Sequence, residues 1–303
     1  MAEVTLPKTG SGFHLSRADG IMLICALLYG SSFPFAKPLL PHLDAVFYSS
    51  TRYLLAAALL FAILLVTRQG LLGRAMLWPR LLACALLFAV FQASWSVALS
   101  LTNASVGAVF VATSPLFGAL LAHFSGHRLK PSGWIGIAIA FAGVFCVINN
   151  SFTGITIAFG SLAADGLWLL VAFMWALFVA RSIPLVMTLG PTRSFAWIMM
   201  LAGLVLLPVG LWRGSMDAVF AMPAVLWVNF VYTAFFPGAI ASLLWNLGLR
   251  RLGVTRTMIY MYLVPVFAIL IAVAFLGEHF ALAQAVGTMA VLGGVAITRR
   301  AVG

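Results

Sequence analysis

Ten apolar stretches, each about 20 residues long and separated by short polar links, run along this 303-residue chain. They fall at about 19–37, 44–66, 79–101, 104–123, 132–149, 160–181, 191–212, 225–249, 254–276 and 279–298. A helix of about 20 residues rises roughly the 30 Å of a bilayer core, and it satisfies its own backbone N–H and C=O groups where no water is present. The stretches therefore predict an all-α polytopic membrane protein of ten transmembrane helices. A water-soluble domain does not fit: 64% of the residues are hydrophobic and 8% are charged, against about a quarter charged in ordinary globular chains.

The net charge of +11 has a membrane reading as well. A nucleic-acid binder gathers lysine and arginine on one face, whereas here they stand singly between apolar stretches, so the expected partner is the lipid bilayer and not nucleic acid. With the N-terminus placed in the cytoplasm, Lys8, Arg17, Arg68, Arg74, Arg80, Arg128, Lys130, Arg181, Arg193, Arg250, Arg251, Arg256, Arg299 and Arg300 all fall inside. That is fourteen of seventeen, leaving Lys37 and Arg213 outside and Arg52 within a helix. Dropping one helix would scramble this bias, so it supports ten helices in the cell inner membrane with both termini cytoplasmic. The first stretch runs on through Tyr29 and Pro34 without an A-x-A pattern, and a cleaved signal peptide is not expected. Cys25, Cys84 and Cys146 lie inside apolar stretches without metal-ligand spacing, so neither a disulfide framework nor a metal or other cofactor is expected.

An internal repeat divides the chain. Ala18-Asp19-Gly20 opens the first stretch and Ala164-Asp165-Gly166 the sixth, while Trp95, Leu99 and Pro115 recur as Trp245, Leu249 and Pro265. After one inserted residue, Gly126, Gly136 and Gly143 are answered by Gly277, Gly287 and Gly294. The organisation read from this is a tail at 1–18, a first repeat at 19–149, a linker at 150–159 and a second repeat at 160–303. Five helices per repeat is an odd number, so the second copy enters the membrane from the other side. Two inverted five-helix repeats are an architecture of secondary transporters, whose halves rock about a midplane site.

The stretches ALSLTNASVGAVFVATSPLFGALLAHFSGHRLKPSGWIGIAIAFAGVF and LGLRRLGVTRTMIYMYLVPVFAILIAVAFLGEHFALAQAVGTMAVLGGV carry a resemblance to the EamA-type branch of the drug/metabolite transporter superfamily. The resemblance covers nearly the whole chain and implies a ten-helix carrier exporting amino acids or related metabolites. The sequence departs from the family at His127, where a glutamate is common, while the second copy keeps Glu278. Related aromatic-amino-acid exporters are similar in carrying a tryptophan at the place of Trp175 and a tyrosine three residues before the second proline, the place of Tyr262.

Several residues are placed to carry cargo. Pro115 and Pro265 sit mid-span as helix kinks and withdraw the usual partners of the Val111 and Met261 carbonyls, an irregularity tolerated at depth only against protein or a wet cavity. Polar and amphipathic aromatic groups near that depth are candidates for substrate binding: Tyr29, Gln92, Trp95, Thr113, Ser114, Trp175, Trp245, Asn246, Tyr260 and Tyr262. For Trp175 and Tyr262 the alternative is simple helix packing, and for Gln92 a bridge between helices. Arg52 either pairs with a substrate carboxylate or snorkels to the surface, and snorkelling is the expectation. The glycines of spans five and ten, Gly133, Gly136, Gly143, Gly287, Gly293 and Gly294, are expected to permit close helix packing, or to form a dimer face on what is otherwise a monomer.

Acidic residues stand in tails or at span ends, which argues against a proton-coupled multidrug pump and for neutral or zwitterionic cargo moved with weak coupling or none. An intramembrane enzyme would need a nucleophile and base, or a metal motif, at depth, and neither occurs. A phosphate carrier would need several deep cations. The expectation is a small-molecule exporter, with other drug-like cargo of the same superfamily or a passive channel as alternatives.

Overall fold

The chain is described by a computed structural model over residues 17–72, 77–124, 126, 129–149, 159–214 and 216–301. The linker residues 150–158 and His127 lie outside these. The elements in order are α1 Arg17–Ala36, α2 Ala45–Val66, α3 Trp78–Leu101, α4 Ala104–Val111, α5 Ser114–Phe124, α6 Pro131–Asn149 and α7 Phe159–Leu189. They continue as α8 Pro191–Arg213, α9 Met216–Phe220, α10 Ala224–Thr233, a π-helical segment Ala234–Ile240, α11 Ala241–Tyr260, α12 Leu263–Leu276 and α13 Leu282–Ala301. Among the described residues, seven helical segments are long and apolar enough to cross a membrane, and Pro131–Val147, Leu263–Leu276 and Leu282–Thr298 are shorter apolar helices.

Local chemistry sets the ends. The Asp44 carboxylate accepts from the backbone N–H groups of Val46 (2.9 Å) and Phe47 (3.1 Å), capping α2. Gly190, at φ +82°, supplies the backbone turn that lets α8 start at Pro191 directly after α7 ends at Leu189. Gly277 closes α12 in the left-handed conformation. Leu82, Leu86 and Val90 form an exposed stripe at four-residue spacing on α3, while Leu81, Cys84, Ala85 and Phe88 on its other face are buried. Apolar stripes of this kind are stable against lipid and costly against water.

Two boundaries differ from the sequence expectation. α7 continues eight residues past 181, through Pro184, to Leu189. The turn expected near 250–253 does not end α11, which is assigned through to Tyr260, but shows as a reversal inside it. A Cβ on Gly248 would stand 3.2 Å from Thr257 Cγ2, whereas nine residues of straight helix rise about 13.5 Å, so the chain folds back within α11.

The helices pack in matched pairs from the two halves. α6 lies along α13 and α2 along α8; α3 packs on α7 as α1 packs on α11, and α1 meets α12 as α7 meets α5. The α6–α13 crossing is reciprocal: Gly136 abuts Gly294 and Gly143 abuts Gly287. A Cβ on Gly143 would lie 2.6 Å from the Gly287 carbonyl oxygen, and one on Gly287 would lie 2.6 Å from that of Gly143. Four of the six glycines expected to allow close approach do so inside one chain, while Gly293 faces open space.

Candidate functional site

A cavity of about 550 Å³ opens between the helix pairs, within the range of small-ligand sites. Its wall is mostly apolar and aromatic. α1 contributes Tyr29, Ser32 and Phe33; α2 contributes Arg52 and Tyr53; α3 contributes Phe88, Phe91, Gln92 and Trp95. Across from these stand Trp175, Val179 and Ile183 of α7, Phe195 and Met199 of α8, Pro237 and Ser242 around the π-helical segment, and Met261, Tyr262 and Pro265 at the start of α12. α4 and α5 complete it through Ala108, Val111, Ser114, Pro115, Gly118 and Ala122.

Of the candidates from sequence, Tyr29, Gln92, Trp95, Ser114, Trp175 and Tyr262 line this cavity, together with Pro115 and Pro265. Trp175 lies tilted beside Phe91 (5.0 Å between ring centres) and Phe178 (5.7 Å) and is half-buried. Trp95 meets the edge of Phe33 at 5.2 Å. The Tyr29 hydroxyl reaches Ser242 Oγ at 3.4 Å, joining α1 to α11.

Four candidates lie elsewhere. Trp245 packs in a separate cluster with Met22, Cys25 and Ala241. Asn246 is buried, its amide donating to the Ser242 carbonyl at 2.7 Å. The Tyr260 hydroxyl donates to Asp19 Oδ1 at 2.6 Å, tying α11 to the start of α1. Thr113 is fully buried with its hydroxyl on the Phe110 carbonyl at 2.7 Å.

The helix breaks are real but their carbonyls are not vacant. α4 ends at Val111 and α5 begins at Ser114, and the Ser114 hydroxyl donates to the Val111 carbonyl at 2.6 Å. The Met261 carbonyl accepts from Val264 N–H at 3.2 Å. A tight three-residue bond and a serine hydroxyl thus replace what the prolines removed.

Arg52 corrects the snorkelling expectation. Its side chain is 3% exposed and turned inward, so a long side chain two turns into a helix has stayed with its polar and aromatic neighbours instead of reaching for the surface. Nε donates to the Thr233 carbonyl (3.2 Å), Nη1 to Tyr48 Oη (3.4 Å) and Nη2 to Ser32 Oγ (3.3 Å). The guanidinium carbon lies over the rings of Tyr53 (4.8 Å), Trp95 (5.4 Å) and Tyr48 (5.6 Å), positions that favour a cation electrostatically.

The cavity extends to the surface beside the C-terminal ends of α5 and α7, where Ala122 is half-buried and Ala180 and Ile183 are exposed. Outside the lining, polar contacts tie down the link between α3 and α4. Lys37 Nζ donates to the carbonyls of Leu99 (2.8 Å), Ser100 (3.2 Å) and Thr102 (2.6 Å), a cation on a helix C-terminus. Glu278 accepts from the backbone N–H groups of Ala104 (2.8 Å) and Ser105 (3.1 Å) and from Ser105 Oγ (2.6 Å), an anion on a helix N-terminus. The Trp168 indole donates to Thr102 Oγ1 at 2.8 Å. Glu278 is therefore a cap on α4 and is not among the residues lining the cavity.

Comparison with known proteins agrees with this architecture. The EamA-like transporter family matches twice, over residues 16–149 and 162–300. An uncharacterized transporter of Archaeoglobus fulgidus is 26% identical over 93% of this chain and 97% of its own. A probable terminal-alkyne amino-acid exporter of Streptantibioticus cattleyicolor is 26% identical over 95% of this chain and 96% of its own. A protein solved by crystallography shares the fold, with a TM-score of 0.66 at 20% identity over 93% of this chain and 97% of that one.

Proposed function

We propose that this chain, which belongs to the EamA-like transporter family, exports small metabolites through its cavity by alternating access, with bulky apolar or aromatic amino acids foremost among them. The observation that carries the reading is the cavity itself: about 550 Å³, walled by aromatics and bordered by both helix breaks. Irregular backbone at that depth is costly unless it borders a site or a path. The amino-acid reading draws on the aromatic wall at Trp175, Phe91 and Tyr262 and on the likeness to the amino-acid exporter.

The machine behind it is a ten-helix bundle of two inverted repeats. Its support is the reciprocal glycine crossing: Gly136 meets Gly294, the counterpart of Gly143, and Gly143 meets Gly287, the counterpart of Gly136. Antiparallel helices that exchange equivalent residues are related by an axis perpendicular to both, which in a membrane lies in its plane. On this reading the chain lies in a cell inner membrane, and the end where the cavity emerges, with Arg181 and Arg193 close by, is the cytoplasmic one by charge, both termini facing it. The working unit is a monomer or a homodimer, and a homodimer would need another face than the four glycines already used.

The test is counterflow in proteoliposomes with a panel of radiolabelled amino acids. A carrier gives saturable uptake that unlabelled cargo competes away; a passive channel gives flux that rises linearly and is not competed. Flux no greater than that of protein-free liposomes across a broad metabolite panel would overturn the reading.

A further inference from the structure

We infer that Arg52 is the anchor for a carboxylate on the cargo, and that the site therefore selects apolar or aromatic monocarboxylates, an ammonium group on the cargo being dispensable. The inference rests on the transport reading above and names the substrate chemistry of that same cavity.

The argument begins with the cost of the charge. A guanidinium taken from water into a largely apolar wall is unfavourable unless an anion or a full set of hydrogen bonds compensates it. Among the described residues Arg52 has no carboxylate partner, the ion pair present being Arg213 with Asp44, the cap about two turns before it at the start of α2. Its three hydrogen bonds all go to neutral oxygens and all measure 3.2 Å or more, longer than the roughly 2.7–2.9 Å of a guanidinium on an anion. They occupy three of the five N–H donors that the group carries. The three ring faces ease the burial of the cation but do not neutralise it.

The rest of the wall decides what else the cargo carries. Among the described residues, no aspartate or glutamate lines the cavity. The two carbonyls at the helix breaks already accept hydrogen bonds from Ser114 and Val264. An ammonium group thus meets no formal counter-charge, whereas a carboxylate meets one, and the apolar wall at Phe91, Trp175 and Tyr262 receives an aliphatic or aromatic body. A single cation matches a monoanion and leaves a phosphate dianion half-neutralised.

The experiment compares acids with their amides on the full chain in detergent, reading ligand-induced thermal stabilisation over a concentration series. The probes are 3-phenylpropionate, phenylalanine, 3-phenylpropionamide and phenylalaninamide. Both acids are expected to bind at least about tenfold tighter than the matching amides, the scale of a hydrogen bond to a charged group, with 3-phenylpropionate at least as tight as phenylalanine. In Arg52→Gln the preference for acid over amide disappears, while Arg52→Lys keeps part of it. Equal binding of acids and amides by the unaltered protein overturns the inference even if no Arg52 variant folds, as does failure of the acids to bind or an undiminished preference in folded Arg52→Gln. Counterflow of any neutral metabolite on the same preparation would then show that the transport reading stands without it.

Discussion

The reciprocal glycine crossing predicts alanine substitutions of opposite sign on neighbouring helices. A Cβ at position 143 would stand 2.6 Å from the Gly287 carbonyl oxygen, 2.7 Å from Val291 N and 2.9 Å from Ala290 Cβ. Non-bonded heavy atoms settle at roughly 3.5 Å or more, so α6 and α13 must separate by the better part of an ångström. The obstructing atoms include backbone of the partner helix, which cannot rotate away as a side-chain tip can. Overpacking of that kind costs about 1–3 kcal/mol, and the better helix propensity of alanine returns about 1 kcal/mol. With three atoms under 3 Å, two of them backbone, the upper part of that range, about 2–3 kcal/mol, applies, and Gly143→Ala should therefore lose about 1–2 kcal/mol net. At Gly293, next to Gly294 but turned off the crossing, a Cβ meets nothing within 4 Å, so Gly293→Ala keeps only the propensity term and gains up to about 1 kcal/mol. Thermal unfolding of both purified variants in one detergent reads the comparison as a fall in one midpoint and a small rise in the other. A Gly143→Ala protein as stable as the parent would refute the reasoning about the crossing.

Truncating the aromatic wall should weaken cargo binding: Trp175→Ala and Tyr262→Ala are each expected to cost roughly 2 kcal/mol, about thirtyfold in affinity for bulky amino acids. If both variants merely lose stability and keep their affinity, the two rings pack helices and nothing more. Glu278→Gln removes the anion from the α4 N-terminus and should lower stability by about 1–2 kcal/mol while counterflow persists; complete loss of counterflow in the folded variant would contradict its assignment as a cap. Single cysteines at Arg74 and Arg251 should react with a membrane-impermeant thiol reagent only from the cytoplasmic side, and one at Arg213 only from the periplasmic side, in a background lacking Cys25, Cys84 and Cys146. Labelling of all three from one side would remove the inverted topology.

Membrane-spanning character was legible because length and hydropathy are dictated by the bilayer, while the caps and turns at Asp44, Gly190 and Gly277 came from the fold. The cavity was legible only in part. Trp175 and Gln92 announced themselves as polar tips far from a headgroup, but Phe33, Phe88 and Phe91 line the space with side chains that read in sequence as ordinary core. Arg52 was misjudged because an arginine two turns into a span has reach enough to snorkel, and only the fold shows that Tyr48, Tyr53 and Trp95 surround it. Trp95 and Trp245 are repeat counterparts, yet one faces the cavity and the other packs on Met22 and Cys25. Under the inverted-repeat reading that asymmetry belongs to a single conformation, in which one half has opened and the other has closed, so equivalent positions have different surroundings. The bend inside α11 falls where the sequence placed the link between the stretches 225–249 and 254–276, although helix assignment runs on through it.

The central claim is that the cavity is the path of the cargo, and Gly118 offers the most direct test of it. This residue lines the cavity, and a Cβ built on it meets no atom within 4 Å. Gly118→Trp should therefore fold with near-parental stability while its indole fills the space, and saturable counterflow in proteoliposomes should fall to the level of protein-free vesicles. Parental counterflow from a folded Gly118→Trp protein would contradict the account, because cargo would then be crossing by another route.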